Sequence, residues 1–284
     1  MNRKIIFSRM RRSYFFVMGL VCLVLVIAAC YVLPIFIVHD PVTNVLENRF
    51  MRPEGFSRGF EGHVLGTDQL GRDVFSRLAI GGQYSIRLAI IVVFLQFAIG
   101  TVLGLTSGYF GRWVDTVIMR ACDVMMTMPT LILAIAVLAI LGSNDRNLII
   151  VMAISGWVQI CKVTRNNVSI VKQQEFVLAS KALGAKKPHI MFRQIFPNVT
   201  TQIIVITSQR MGLVILMESQ LSFLGLGIQI PAPSWGNMIS AGRQYLATQP
   251  WLIVVPGIAL MLAVLSFNFM GDGLRDVFDT KRKV

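Results

Sequence analysis

Residues 161–198 read CKVTRNNVSIVKQQEFVLASKALGAKKPHIMFRQIFPN, a polar and basic stretch between two long apolar runs. A connection of this length is too long for a tight turn between two membrane spans. We therefore interpret residues 162–198 as a docking element on one side of the membrane, and we call them the docking segment.

The docking segment has the pattern of two short helices joined by a glycine. Apolar residues at the helical period predict a helix from Glu175 to Leu183, and Gly184 follows it as a C′ glycine would. Proline in the first turn predicts a second helix from Pro188 to Phe196, which ends at Pro197. An apolar face and a basic rim are expected, formed by Phe176, Val177, Ala179 and Leu183 and by Lys172, Lys181, Lys186, Lys187 and Arg193.

Two kinds of partner suit such a surface. An amphipathic helix with basic flanks can lie on anionic lipid. Ala179, Ser180 and Ala182 instead favour docking to a protein. Small side chains insert little apolar area into lipid, but they allow a helix backbone to sit closely in a groove of another protein.

The composition is that of a polytopic membrane protein. The chain has 284 residues, of which 55% are hydrophobic and 14% charged, and its mean hydropathy is +0.66. The net charge of +13 is concentrated in loops beside apolar runs, so we expect no nucleic-acid binding. Phosphate-loop, zinc-hydrolase and serine-hydrolase motifs do not occur, and the four cysteines lack metal-site spacing. We expect no catalytic residue, metal or cofactor in this chain.

Apolar runs predict an all-α membrane protein with six spans. The Ile27-Ala28-Ala29-Cys30 string resembles a lipoprotein cleavage box, but the apolar run continues beyond it, so we interpret the first span as uncleaved. Pro129 is expected to bend the third span and Pro256 to interrupt the sixth. The predicted spans cover residues 14–38, 88–109, 117–141, 148–160, 201–224 and 251–270.

Glycines and charged residues within the spans suggest further roles. Gly100, Gly104 and Gly108, spaced by four, predict a helix-packing face. Arg210 and Glu218 lie in an apolar run, where ionisable groups either line a substrate pathway or pair across helices.

Other charged residues suggest local ion pairs. Arg120 is expected to pair with Asp123 or Asp115 on one helix. The i, i+4 pairs Asp68/Arg72 and Asp73/Arg77 predict a short solvated surface helix.

The docking segment resembles the cytoplasmic coupling loop of permease subunits of bacterial ABC importers. That pattern is Glu-Ala-Ala, three residues, Gly and an Ile-x-x-Pro-like ending. It falls on Leu178, Ala179, Ser180, Gly184, Ile195 and Pro197, with Leu178 in place of Glu and Ser180 at the third position. Residues 65–77, 222–246 and 271–284 closely resemble the branch that imports dipeptides, oligopeptides and nickel.

This resemblance implies a type I ABC importer permease fold and no chemistry in this chain. It implies a homologous second permease subunit, two cytoplasmic ABC ATPase subunits that bind ATP and Mg²⁺, and an extracytoplasmic solute-binding protein. The cargo would be dipeptides or oligopeptides, with nickel or a metallophore as the alternative. The residues expected to couple to the ATPase are Glu175, Phe176, Leu178, Ala179, Ser180, Gly184, Ile195 and Pro197.

A self-sufficient channel or secondary carrier is the alternative from another class, although no internal repeat of the kind common in carriers is evident. The basic residues near both termini and in the docking segment predict a bacterial inner-membrane protein with both termini cytoplasmic. Residues 1–84 would form a tail, the first span and a periplasmic segment, and residues 85–284 a five-helix permease core.

Overall fold

The computed structural model describes residues 3–36, 39–55, 57, 59 and 62–278. Within these ranges the chain is helical, with no strand beyond one isolated bridge between Thr67 and Asp73. The side chains of Arg3 and Lys4 and the basic tail at 281–283, which support the predicted orientation, lie outside the described residues.

Eleven α-helices are found in the described residues. Short 3₁₀ helices lie at Leu33–Phe36, Leu46–Asn48 and Arg243–Tyr245, and a π-helix at Ile190–Ile195. The helices are α1 (Arg3–Arg12), α2 (Tyr14–Tyr31), α3 (Val74–Phe110), α4 (Arg112–Thr127), α5 (Thr130–Leu141), α6 (Asp145–Val171), α7 (Glu175–Ala182), α8 (Lys187–His189), α9 (Phe196–Phe223), α10 (Trp235–Gly242) and α11 (Trp251–Phe278).

Five helical segments in the described part of the chain are long and apolar enough to cross a membrane, and α4 with α5 adds a sixth if the pair is one span. The angle between α4 and α5 is 84° at Pro129, so the predicted bend is confirmed. The predicted interruption at Pro256 is wrong, because α11 runs unbroken through it. Pro256 has no N–H to donate to Leu252 O, so it removes one backbone hydrogen bond, but the helix continues on both sides of it.

The glycine face predicted on the second span is confirmed as a close contact between α3 and α6. A Cβ at Gly100 would lie 2.8 Å from Trp157 O, one at Gly104 2.5 Å from Cys161 O, and one at Gly108 2.8 Å from Arg165 O. Only hydrogen fits in these spaces, so the two backbones approach closely along three turns. Cys122 and Cys161 are buried beside this contact, as expected of small packing residues.

The remaining spans assemble around α11 and α9. A Cβ at Gly19 would lie 2.5 Å from Met270 N, which places α2 directly against α11. A Cβ at Gly212 would lie 3.1 Å from Val264 O, which places α9 against the same part of α11. The result is a helical bundle in which α9 packs against α3, α6 and α11.

The predicted surface helix around Asp68 is wrong. Asp68 and Arg72 lie in a loop, are almost fully buried, and form an ion pair with 2.8 Å between Arg72 Nη2 and Asp68 Oδ2. Arg77 approaches Asp68 rather than Asp73 and donates to Pro41 O at 2.8 Å. Asp73 is the N-cap of α3 and accepts from Ser76 N. These charges are buried because the chain between α2 and α3 folds back over the start of α3.

Candidate functional site

The first docking helix, α7, is confirmed with the glycine end that the sequence predicts. Gly184 has φ +80°, a conformation that glycine adopts without a Cβ clash. Its N–H donates to Lys181 O and the Ala185 N–H donates to Ser180 O, both at 3.1 Å. These two bonds form a Schellman motif, which ends α7 sharply and turns the chain toward α8.

A single buried side chain anchors α7 to the bundle. Val177 is 3% exposed and belongs to a cluster with Ile190, Ile195, Val168 and Val199. A side-chain bond adds a polar link, since Gln194 Nε2 donates to Ser180 Oγ at 2.6 Å. The helix is therefore attached firmly through one face and leaves its other faces free.

The docking segment exposes large apolar side chains. The exposed fractions of Leu178 and Leu183 are 53% and 88%. Phe176 and Phe192 are also about half exposed, and the basic residues Lys181, Lys186, Lys187 and Arg193 of the same segment are exposed. Exposed apolar side chains gathered on one short segment are typical of a protein-binding surface.

The second docking helix does not end at Pro197, and this prediction is wrong. Helical structure is continuous over residues 187–223. The reason is the π-helix at 190–195, in which Phe196 N–H donates to Met191 O, five residues earlier. A wide turn just before the proline accommodates a residue that has no N–H to donate. The docking segment thus passes directly into α9, a spanning helix.

The other predicted coupling residues differ in their exposure. Glu175, Ala179 and Pro197 are exposed, whereas Ser180 is half-buried and Ile195 is fully buried. Ile195 therefore supports the surface from beneath and does not form part of it.

The structure separates the two charged residues of α9. Glu218 is fully buried, and its Oε1 accepts from Ser222 Oγ at 2.6 Å. This position favours an internal structural role for Glu218, the alternative to substrate contact. Arg210 is half-buried, and its Nη1 and Nη2 donate to Gln159 Oε1 and Gly156 O at 3.1 and 3.2 Å.

The expected pairing of Arg120 on its own helix is wrong. Asp115 binds Arg165 of α6, with 2.8 Å between Arg165 Nε and Asp115 Oδ1, and also accepts from Ser107 Oγ of α3. Asp123 pairs instead with Lys162 of α6 at 3.5 Å. Packing of α4 across α3 and α6 brings these partners together, and sequence spacing within α4 carries no information about it.

The sequence prediction also missed a polar face on α6. Ser155, Gln159, Lys162 and Asn166 fall at i, i+4, i+7 and i+11 and are exposed or half-buried. The signal was present in their helical spacing. It was missed because the predicted span ended at Ile160, whereas α6 continues to Val171.

Comparison with known proteins identifies transporter permeases as relatives of this chain. The family model described as "Binding-protein-dependent transport system inner membrane component" matches residues 100–284. The chain is 37% identical to the dipeptide transport system permease protein DppC of Alkalihalophilus pseudofirmus, over 98% of this chain and 89% of that protein. It is 42% identical to the glutathione transport system permease protein GsiD of Pectobacterium atrosepticum, over 78% of this chain and 73% of that protein.

The fold also matches a solved structure. An inward-facing conformation of the MetNI methionine ABC transporter superposes with a TM-score of 0.57 at 17% identity, covering 70% of this chain and 95% of that chain. The shared arrangement of spanning helices is the type I ABC importer permease fold, as predicted.

Proposed function

The chain belongs to the family of binding-protein-dependent transport system inner membrane components, and we propose that it forms half of the translocation pathway of an ATP-driven importer of short peptides. The dipeptide and glutathione permeases to which it is similar support this class of cargo. Nickel or a metallophore remains the alternative cargo.

The observation that carries this proposal is the construction of the docking segment. Val177 is buried and anchors α7, whose other faces are exposed. The chain then runs through the π-helix into α9 without a break in the helix. Closure of an ATPase dimer against this surface would displace α7. Because α7 is held by buried packing and by the Ser180–Gln194 bond, the displacement would move α9 and open the pathway to the other side.

The proposed assembly places ATP and Mg²⁺ in other chains. Two cytoplasmic ABC ATPases would dock on the two permease subunits, and an extracytoplasmic binding protein would deliver the cargo. The docking segment and both termini would be cytoplasmic, which agrees with the positive-inside rule. Residues 1–84 would act as a peripheral unit, and residues 85–284 as the permease core.

Uptake in cells tests the cargo. Labelled dipeptide and labelled nickel, with and without histidine as chelator, would be supplied to cells that lack this gene and to the same cells complemented with it. We expect the deletion to abolish peptide uptake but not nickel uptake, and complementation to restore it. Loss of nickel uptake alone would transfer the protein to the metal-importing branch.

Two glycine variants test the docking segment in the same cells. Gly184 and Gly142 both have positive φ, and a Cβ at either meets nothing within 4 Å. Gly184→Asp should abolish uptake because it places a carboxylate on the docking surface, whereas Gly142→Asp, in the turn between α5 and α6, should retain it. Equal uptake by both variants would contradict ATPase docking at this surface.

Scrambling residues 175–190 separates the importer from a carrier. An ATP-coupled permease should lose all transport, because its only proposed link to the ATPase is removed. A carrier driven by an ion gradient would keep part of its activity.

A further inference from the structure

Arg210 is a cation in the middle of a spanning helix, and its two hydrogen-bond partners are uncharged. Its guanidinium is held by the Gln159 side-chain oxygen and the Gly156 carbonyl, both of which are neutral acceptors. Among the described residues no carboxylate forms an ion pair with it. Its Nε is buried and has no hydrogen-bond partner.

The depth of Arg210 makes this arrangement costly. At 1.5 Å per residue, it lies about 20 Å from either end of α9, near the middle of a bilayer about 30 Å thick. An unpaired charge at this depth is found facing a water-filled cavity or the bundle interior, and it marks a substrate or ion pathway.

The local backbone leaves room for the guanidinium. A Cβ at Gly156 would lie 2.1 Å from Gln96 Nε2 and 2.8 Å from Arg210 Nη2. A larger residue there would displace the Gln96 side chain first and would also crowd the guanidinium. The orientation of Arg210 therefore depends on a glycine in α6 as well as on Gln159.

The polar face of α6 extends along the helix from the residues that contact Arg210. Ser155, Gln159, Lys162 and Asn166 share this face, whereas Ile154, the neighbour of Ser155 in sequence, is 50% exposed on another side of the helix. Ser155 and Gln159 lie in the part of α6 that contacts Arg210, and polar groups at that depth are unfavourable against lipid and favourable along water.

We propose that Arg210, oriented by Gln159, is a carboxylate-binding residue of the translocation pathway and contacts the free carboxylate of a peptide in transit along the polar face of α6. This inference rests on the proposed import function and assigns the chemistry of the pathway. A free carboxylate is present in every unmodified short peptide, so one guanidinium serves cargoes of different sequence. Two N–H groups of the guanidinium already hold protein oxygens and Nε is buried, so one N–H on each of Nη1 and Nη2 remains for an anion.

Thiol labelling of the reconstituted complete transporter tests the water path and its charge. Ser155→Cys lies about one helical turn from the atoms that hold Arg210. It should react with charged methanethiosulfonates, and faster with the anionic than with the cationic reagent by about tenfold, because a unit charge nearby raises the local anion concentration. The matched control Ile154→Cys should not react above the parent chain.

Labelling has two outcomes that overturn the inference. If Ser155→Cys does not react in either the nucleotide-free or the ATP-trapped complex, this face of α6 does not line a water path. A preference for the anionic reagent that survives Arg210→Gln would mean that Arg210 does not set the potential of the path.

Transport by the same complex tests the carboxylate contact. With saturating dipeptide-loaded binding protein, Arg210→Gln should lower the peptide imported per ATP hydrolysed by about tenfold, and Arg210→Lys should restore part of it. Arg146→Gln, which removes a cation from the exposed start of α6, should change nothing. Parallel loss of thermal stability and ATP hydrolysis in Arg210→Gln would indicate a structural role and overturn the inference. Absence of peptide transport by the unmodified complex would instead overturn the proposed function.

Discussion

Gly104→Ala tests whether the close contact of α3 and α6 determines the stability of the bundle. The added methyl group would lie 2.5 Å from Cys161 O and 2.6 Å from Thr164 Cβ. Unstrained carbon contacts are at about 3.5–4.0 Å, so the helices would have to separate by about 1 Å. Overpacking of this kind costs about 1–3 kcal/mol, and the better helix propensity of alanine offsets about 1 kcal/mol of it.

We expect a net loss of up to about 2 kcal/mol, which corresponds to a fall in Tm of up to about 8 °C for a chain of this size. The measurement is thermal unfolding of the purified protein in detergent with a thiol-reactive fluorogenic dye. Cys122 and Cys161 suit this readout because both are free, fully buried, and located beside the contact.

Gly257→Ala is the matched control, because Gly257 lies inside α11 and an added Cβ meets nothing within 4 Å. Its Tm should stay unchanged or rise, since alanine is the better helix former. Equal Tm values for the two variants would refute the close packing of α3 on α6.

Three further results are expected from the same assay and from purification of the complex. Glu218→Gln should change the Tm little because the amide oxygen still accepts from Ser222 Oγ. Glu218→Leu should destabilise by about 1–3 kcal/mol because the buried Ser222 O–H loses its acceptor, while its oxygen still accepts from Ile228 N; equal effects would argue against the bond to Glu218. Asp115→Asn should lower the free energy of unfolding by about 1 kcal/mol, since both side chains of its pair with Arg165 are partly exposed. An unchanged Tm would show that this pair does not stabilise the protein. Leu183→Asp, at a side chain 88% exposed, should keep the Tm and reduce co-purification of the ATPase; unchanged co-purification would contradict docking at this residue.

Local features of the fold were predictable from sequence, because they depend on a few neighbouring residues. The end of α7 follows from Gly184, which can adopt positive φ, and the face of α3 follows from glycines spaced by four. The bend at Pro129 likewise follows from the missing N–H of proline.

Features that depend on tertiary packing were not predictable in the same way. The helix passes Pro197 because a π-helix precedes it, and nothing in the local pattern indicates a wide turn. Asp68 and Arg72 look like a solvated pair by spacing alone, yet the chain between α2 and α3 buries them.

Only the local part of the candidate site was predictable, because contacts between helices depend on tertiary packing. The helix α7 was predicted because the helical period and Gly184 identify it, whereas Gln159 was missed as a partner of Arg210 because it belongs to another helix. Helical spacing could have identified the polar face of α6, had the predicted span extended beyond Ile160.

Uptake by proteoliposomes tests the central claim most directly. The complete transporter would be reconstituted with loaded binding protein on one side and ATP on the other, and ionophores would collapse all ion gradients. We predict accumulation of labelled dipeptide that requires ATP and stops when residues 175–190 are scrambled. Accumulation without ATP, or with the scrambled segment, would contradict an ATP-coupled permease that works through the docking segment.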